Sequence, residues 1–566
     1  MTEPGSCLIV TLNAQNIHKS PAAWCLKAYC DKVLPRFRCE VLEASINDRP
    51  REVLRRIRLF GDGPVCFSCY IWNIGLVGQI AKALRSLEPE RVIVLGGPEV
   101  SFEEDLGRFP FADYIIKGQG EAVFADLMSK LLSPDPPPRG VLIGSDDDFS
   151  DYPSPFTDEY FASFGSGHSL RIENRLLYYE SSRGCPFKCA YCLSSAGHGV
   201  SYLPLQRVRS ELELLVEKGA KTIKFVDRTF NANAPRAAEI LRFVQDMKTD
   251  CTFHFEAAAD LFTEEVFDII AAMPPGRVQF EIGIQTLNAS VLDKVRRVTD
   301  TVLVTRNIRR LTAMGNCHIH ADLIAGLPGE DLSSFIRSFN SAIGCRAHML
   351  QLGFLKMLKG AAISDASVYP GYIVEEYPPY EILRSDAMSF EDLAALHRVE
   401  QALNRYYNSG MFRYTLTYVF DEVRIEPFAF FRSVREYCDS DALWRTDMRR
   451  TYEVLYDFLA DSGLDREDVA ARIRADCAAF HFKSVLPGSI ASREDRALEN
   501  RVRAISAREG SNLRNIKAYD IGSHFGTRVF FYDIRDPVTK EFYSLPADED
   551  LDRKLRQLIS TRSETA

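Results

Sequence analysis

The feature that most constrains this fold is an alternation of short β-rich apolar runs with helical stretches, which occurs twice along the chain. The first series is CLIVTL (7–12), CEVLEA (39–44), PVCFSCYIW (64–72), RVIVLGG (91–97) and DYIIKG (113–118). Continuous apolar runs separated by helices predict strands buried on both faces, hence a doubly wound, Rossmann-like α/β domain over residues 1–132. SPDPPPRGV (133–141) and the acidic SDDDFSDYPSPF (145–156) then predict a linker spanning 133–174. The alternation resumes at LLYYESS, KTIKFVD, TFHFEAAA, VQFEIGIQ, HIHADLIAG and HMLQLGFLKML. Six βα units spaced roughly 25 to 45 residues apart predict an open, partial (β/α)6 barrel over 175–369. Residues 370–566 change to amphipathic helices such as FEDLAALHRVEQALNRYY, giving a mainly helical C-terminal domain. TRVFFYDIRDPVTKEFYSL reads as a terminal hairpin turning at Asp536-Pro537.

A chain of 566 residues, 46% hydrophobic, can bury several cores. Its formal charge of -9 argues against a nucleic-acid coat, and no stretch approaches the roughly 20 apolar residues of a membrane helix. The start, MTEPGSCLIV, has an acid and no basic leader, so the expected location is the cytoplasm. Fourteen scattered Cys then read as reduced thiols, most of them core residues and a few, where clustered, metal or redox groups. Cys66 and Cys69 form C-x-x-C inside a predicted strand; residues three apart face opposite sides, which favours core packing over a redox pair.

Cys185, Cys189 and Cys192 in SSRGCPFKCAYCLSS are different. Their spacing lets one loop wrap three thiolates around a metal centre, and three ligands leave one site open. A closed zinc site would need a fourth ligand, for which His198 is the near candidate. The loop leaves the first barrel strand, where a βα barrel places its active site.

Cys185-x-x-x-Cys189-x-x-Cys192 with Tyr191 resembles the signature of the radical S-adenosylmethionine superfamily. The resemblance implies a 4Fe-4S cluster on the three Cys, with S-adenosylmethionine on the unique iron and reductive cleavage to a 5′-deoxyadenosyl radical. It implies that Tyr191, Asp227, Glu256 and Gln285 contact the cofactor's methionine and ribose, and that Leu358 and Gly360 border the adenine. Arg296 and Arg297 could meet the cofactor carboxylate, and DLIAGLPGE (322–330) resembles the fifth-strand motif. Each polar residue could instead cap a strand or helix, and the arginines could lie on a solvated face. His318 and His320 share one side of a strand, which would suit a metal pair if anything else pointed there; packed imidazoles are the alternative.

In the first domain the predicted strands end in LNAQN, SCYIWN, LGGPEVS and KGQGE, a cofactor cleft without the dinucleotide fingerprint. Beside the cysteine loop, this resembles cobalamin-dependent radical S-adenosylmethionine enzymes. The resemblance implies that Asn13, Ser68, Tyr70, Trp72 and Asn73 line the corrin, and that Gly96, Gly97, Pro98, Glu99, Gly118, Gly120 and Glu121 receive the ring and its nucleotide tail. Asp-x-His-x-x-Gly is absent, and Asn16-Ile17-His18-Lys19-Ser20-Pro21 lacks its Asp and Gly, so cobalamin is expected without a histidine below the cobalt. The C-terminal part has no catalytic motif. Its Tyr377, Tyr380, Tyr406, Tyr407, Tyr414 and Tyr418 either cover the barrel mouth or pack helices. Arg501, Arg503, Arg508, Arg514 and Lys517 either touch phosphate or form a solvated face.

The resemblance implies methylation of an unactivated carbon of an organic substrate, with an external electron donor such as flavodoxin or ferredoxin, in an anaerobic setting. Rearrangement, cyclisation or ring contraction without methyl transfer is the first alternative. A non-enzymatic cobalamin or metal sensor is the second.

Overall fold

In the computed structural model, residues 5–133, 135–144, 148–165, 171–197, 199–438, 447–482, 485–511, 513–522 and 524–565 are described. His198 lies outside them, as do residues 145–147 of the acidic segment.

The first sheet holds β1 (Ser6–Asn13), β2 (Arg38–Ser45), β3 (Val65–Ser68), β4 (Ile93–Gly96), β5 (Tyr114–Lys117) and β6 (Gly140–Ile143). All pairs are parallel, in the order β2-β1-β3-β4-β5-β6. Helices cover both faces because alternate strand residues feed two separate cores. Val10, Phe67 and Leu95 belong to one, Ile9, Cys66 and Val94 to the other. Cys66 and Cys69 accordingly lie in different cores, as free thiols. The order reverses at β1 and β3, so the ligand crevice of such a sheet opens between Asn13 and Ser68. β6 corrects the predicted linker: Gly140–Ile143 satisfies the free edge of β5, and the sheet runs past residue 132.

The second sheet contains β7 (Leu176–Tyr179), β10 (Thr222–Phe225), β11 (Thr252–Ala257), β12 (Val278–Gln285), β13 (His318–Ala325) and β14 (Met349–Phe354). Its order is β14-β13-β12-β11-β10-β7, parallel throughout and open. Between β7 and β10 a small hairpin, β8 (Ser182–Gly184) and β9 (Val200–Tyr202), carries the three cysteines in its loop. The helices start and stop on local signals. Thr301–Met314 begins where the Asp300 carboxylate accepts from the Val302 and Leu303 N–H groups, and ends at left-handed Gly315.

Beyond β14 the helices Phe390–Ala402, Pro427–Tyr437, Met448–Asp461 and Arg466–Phe480 share one continuous core with the barrel. Phe428 and Phe431 meet Phe339 of the barrel helix Leu332–Ile343 edge-on. No boundary in packing falls at residue 369. The terminal region holds more than a hairpin: Arg493–Glu494, Ile516–Asp520, Thr527–Arg535 and Phe542–Pro546 form a four-stranded antiparallel sheet, and Leu551–Thr565 is a final helix. The Asp536-Pro537 turn joins the last two strands as expected. Tyr406 is fully buried among helices, whereas Tyr377 is 73% exposed. Arg501, Arg503 and Lys517 pair with Asp552, Glu499 and Glu494 respectively, a solvated basic face with its own acids.

Candidate active site

The cysteine loop is held from below by Asp227. This carboxylate is 2% exposed and accepts from the Ser181 N–H (2.7 Å), the Ser181 hydroxyl (2.5 Å) and the Ser182 N–H (3.1 Å). Burial pushes its carboxyl up to about 6 against those hydrogen bonds. Asp227 therefore fixes the turn into β8.

Cys189 is buried, Cys185 and Cys192 are half-buried, and all three thiols are free. Arg297 stands over them: its Nη1 lies 3.9 Å from Cys189 Sγ and donates to the Tyr191 hydroxyl at 3.2 Å, and its Nη2 donates to the Gly283 carbonyl at 2.6 Å. Tyr191 and Cys189 hold the guanidinium protonated in spite of its burial. Arg296, the neighbour expected at the cofactor carboxylate, is exposed and lies off the cavity wall. The helix Ala289–Lys294 stops there, and Arg296 adopts a φ of 54°, which sends successive side chains in opposite directions.

Arg297, Cys189, Phe187, Thr229, Glu256 and Gln285 line a cavity of about 240 Å³ at the carboxyl ends of β10 to β12. Gln285 carries a left-handed φ of 66° where the register of β12 slips against β13, and its buried Oε1 has no hydrogen-bond partner. Such strain and an orphaned acceptor together mark a ligand contact. Burial raises the Glu256 carboxyl. Leu358 packs on the barrel core, and Gly360, with φ 90°, sits where a Cβ would strike the Phe102 ring of the first domain at 2.2 Å.

The crevice of the first sheet faces the same region. Trp72, 46% exposed, stacks on Tyr70 with ring centroids 4.4 Å apart and planes 9° from parallel, a flat aromatic platform beside Ser68. Asn73 is fully buried and occupied: its amide donates to the Leu12 and Ser68 carbonyls and accepts from the Tyr70 N–H. Asn13 braces the next loop by donating to the His18 carbonyl at 3.1 Å. A Cβ at Gly97 (φ 112°) would meet the Cys69 carbonyl at 2.5 Å, while Gly118 (φ 74°) is open; Gly96 and Pro98 flank the first of these turns, and Gly120 caps the helix Glu121–Leu131. Glu99 and Glu121 act between domains. Glu99 pairs with Arg108 at 3.1 Å and accepts from Tyr380, and Glu121 pairs with Arg183 at 2.9 Å. Arg183 belongs to β8, two residues before Cys185, and also donates to Gln119 at 3.0 Å. Lys359 reaches Glu103 at 2.6 Å. His18 Nδ1 is 2.8 Å from the Tyr178 hydroxyl.

Sequence reasoning missed Arg183, Gln119 and Lys359 as interface residues; each partner lies more than 60 residues away, so no local pattern shows them. The residues present fit the groups implied. Three free thiols on one loop beneath a guanidinium suit an iron–sulfur cluster. An orphaned amide oxygen suits a polar cofactor, and a stacked aromatic platform among close-approach glycines suits a large planar ring.

Residues 7–128 match the B12 binding domain, residues 179–342 the radical SAM superfamily, and residues 369–542 a family described as a protein of unknown function, DUF4080. The chain is 23% identical over 420 residues to 2-(S-pantetheinyl)-carbapenam-3-carboxylate methyltransferase of Streptantibioticus cattleyicolor, covering 66% of this chain and 61% of that one. It is 24% identical over 325 residues to the cobalamin-dependent radical SAM methyltransferase TokK of Streptomyces tokunonensis, covering 51% and 47%. It therefore spans 61% and 47% of the lengths of these relatives. Its fold is similar to the apo form of OxsB, a cobalamin-dependent S-adenosylmethionine radical enzyme: TM-score 0.59, 14% identity, 90% of this chain and 81% of that one.

Proposed function

Starting from a chain that belongs to the cobalamin-dependent radical SAM proteins, with a B12 binding domain ahead of a radical SAM domain, we propose that it methylates an unactivated carbon of an organic substrate. One observation carries this reading. Arg183, at the entrance to the cysteine loop, is clamped to Gln119 and Glu121 in the loop after β5, so the carboxyl ends of both sheets open on one shared space. A substrate there meets both cofactors at once.

When bound, the cluster with S-adenosylmethionine supplies a hydrogen-abstracting radical and the cobalamin supplies a methyl group. The chain's own residues do the rest. Cys185, Cys189 and Cys192 are the thiolate ligands, and Arg297 places a positive charge on Cys189, which favours the reduced cluster. Gln285 and Glu256 present polar atoms to S-adenosylmethionine in the cavity. Tyr70 and Trp72 offer their stacked face to the corrin, and Gly118, with open space where a Cβ would stand, lets backbone approach it. The Glu121–Arg183 and Glu103–Lys359 pairs keep the two domains in register. A flavodoxin- or ferredoxin-type donor in an anaerobic cytoplasm completes the proposed setting.

The test is anaerobic purification with cobalamin supplied, followed by assay with methyl-deuterated S-adenosylmethionine. The expected result is about four irons per chain, one cobalamin, formation of both 5′-deoxyadenosine and S-adenosylhomocysteine, and label in the product. Deoxyadenosine with no label in any product overturns methyl transfer.

A further inference from the structure

Below the cofactor cavity, adjacent barrel strands aim donor atoms at one point. Gln285, Gly283 and Glu281 step down one face of β12 by the two-residue period. The register sets Glu281 beside Glu256 on one side and His320 on the other, with Asp322 beside Gly283. One donor atom each from Glu281, His320 and Asp322 lies within 4.8 Å of the others. His254 of β11 stands behind Glu281, its Nε2 3.0 Å from Glu281 Oε2.

These contacts have an unusual character. His320 Nε2 stands 3.0 Å from Asp322 Oδ1, and His254 and His320 are only 9% and 8% exposed. Each imidazole is paired with a carboxylate at 3.0 Å, but neither Nε2, nor Asp322 Oδ1, is aligned as in an ordinary hydrogen bond. Buried polar atoms at contact distance without hydrogen bonds are rare in native proteins. Two bonds of about 2.1 Å at the tetrahedral angle place their donor atoms about 3.4 Å apart, so the three donors need only a small shift to share one ion. The charges agree. Glu256, Glu281 and Asp322 carry three negative charges, and Lys224 offsets one, 2.8 Å from Glu281 and 3.8 Å from Glu256. With neutral imidazoles a divalent cation closes the balance. Arg297 is already engaged at Cys189, and Arg228 is exposed at the rim.

We propose that Glu281, His320 and Asp322 bind one divalent transition-metal ion of the zinc class, separate from the cysteine-bound cluster, with His254 positioning Glu281 from behind. An imidazole with two carboxylates suits such an ion, and the absence of thiolate distinguishes the site from the cluster loop. Glu281 and Asp322 also line the cavity, so a free coordination position faces it and takes an oxygen donor of the substrate.

The test uses the full chain with Cys185→Ala, Cys189→Ala and Cys192→Ala, stripped with chelator and titrated with Co²⁺, then with Zn²⁺. The expected result is one equivalent of cobalt with visible d–d bands and no thiolate charge-transfer band, displaced by zinc. Asp322→Asn and His320→Gln should each weaken binding more than about tenfold, and His348→Gln, outside the set, should leave it unchanged. X-ray absorption on the zinc-loaded chain with only the three cysteines replaced, independent of how the site variants fold, should show only N/O ligands, including imidazole, at about 2.1 Å. No stoichiometric binding, sulfur ligation, or binding that survives both variants overturns the proposal. None of these results bears on the methyl-transfer reading, because the cluster is absent throughout.

Discussion

The clamp between Arg183 and the loop after β5 makes a quantitative prediction. Glu121 has a side chain only 8% exposed, against 23% for Arg183, and the pair closes at 2.9 Å, with Gln119 accepting a second bond at 3.0 Å. Arg183→Ala leaves the Glu121 carboxylate buried without its cation. Breaking a buried pair in this way costs about 3–5 kcal/mol, and the partial exposure of Arg183 points to the lower end, about 3 kcal/mol. At 1.36 kcal/mol per decade that is a factor of about 150 in local opening. Hydrogen exchange followed by mass spectrometry should show amides of residues 118–121 and 182–192 exchanging about 100-fold faster, while those of β12, far from the clamp, stay at their original rates. Adding Glu121→Gln, which removes the stranded charge, should restore most of the protection. A change below about fivefold, or a double variant no slower than Arg183→Ala, would refute the view that this pair docks the first domain on the cysteine loop.

Gly97→Ala should lose cobalamin on gel filtration, because a residue with φ 112° is strained by about 1–3 kcal/mol and its methyl would meet the Cys69 carbonyl; visible absorbance of the eluted protein reads the outcome. Burial pushes the Glu330 carboxyl up to about 7 despite hydrogen bonds from Thr286 and Ser334. A raised carboxyl stabilises the fold below about pH 4.5 and loses that stability as pH rises through about 7, so Glu330→Gln should raise Tm at pH 8 relative to the parent and leave it unchanged at pH 5. Hydrogen bonds donated to the Glu381 and Glu400 carboxylates push His397, stacked on Phe354 with ring centroids 3.6 Å apart, up to about 9. Its contribution is complete below about pH 6.5 and lost as pH rises through about 9, so the Tm of His397→Gln should fall less than that of the parent between pH 7 and pH 9.5.

The strands of both sheets were legible because a buried parallel strand must be apolar along its whole length and each was bounded by turn residues. The cysteine loop was legible because its ligand set is local. The edge strand Gly140–Ile143 was not: its four residues sit among prolines and acids, and only the free edge of β5 makes a strand of them. The same distinction sorts the polar residues at the strand ends. Asp227, Asn73, Glu99 and Glu121 stand where ligand contacts were expected, but each is occupied by partners on its own chain, Asp227 by a serine 46 positions away. Gln285, at an equivalent strand end, keeps a buried oxygen that nothing on the chain satisfies. Position in a βα unit brings a polar side chain to the ligand's side of the sheet. Whether it is left for a ligand depends on long-range partners that fold and register bring in, and the unsatisfied oxygen of Gln285 is where those partners stop.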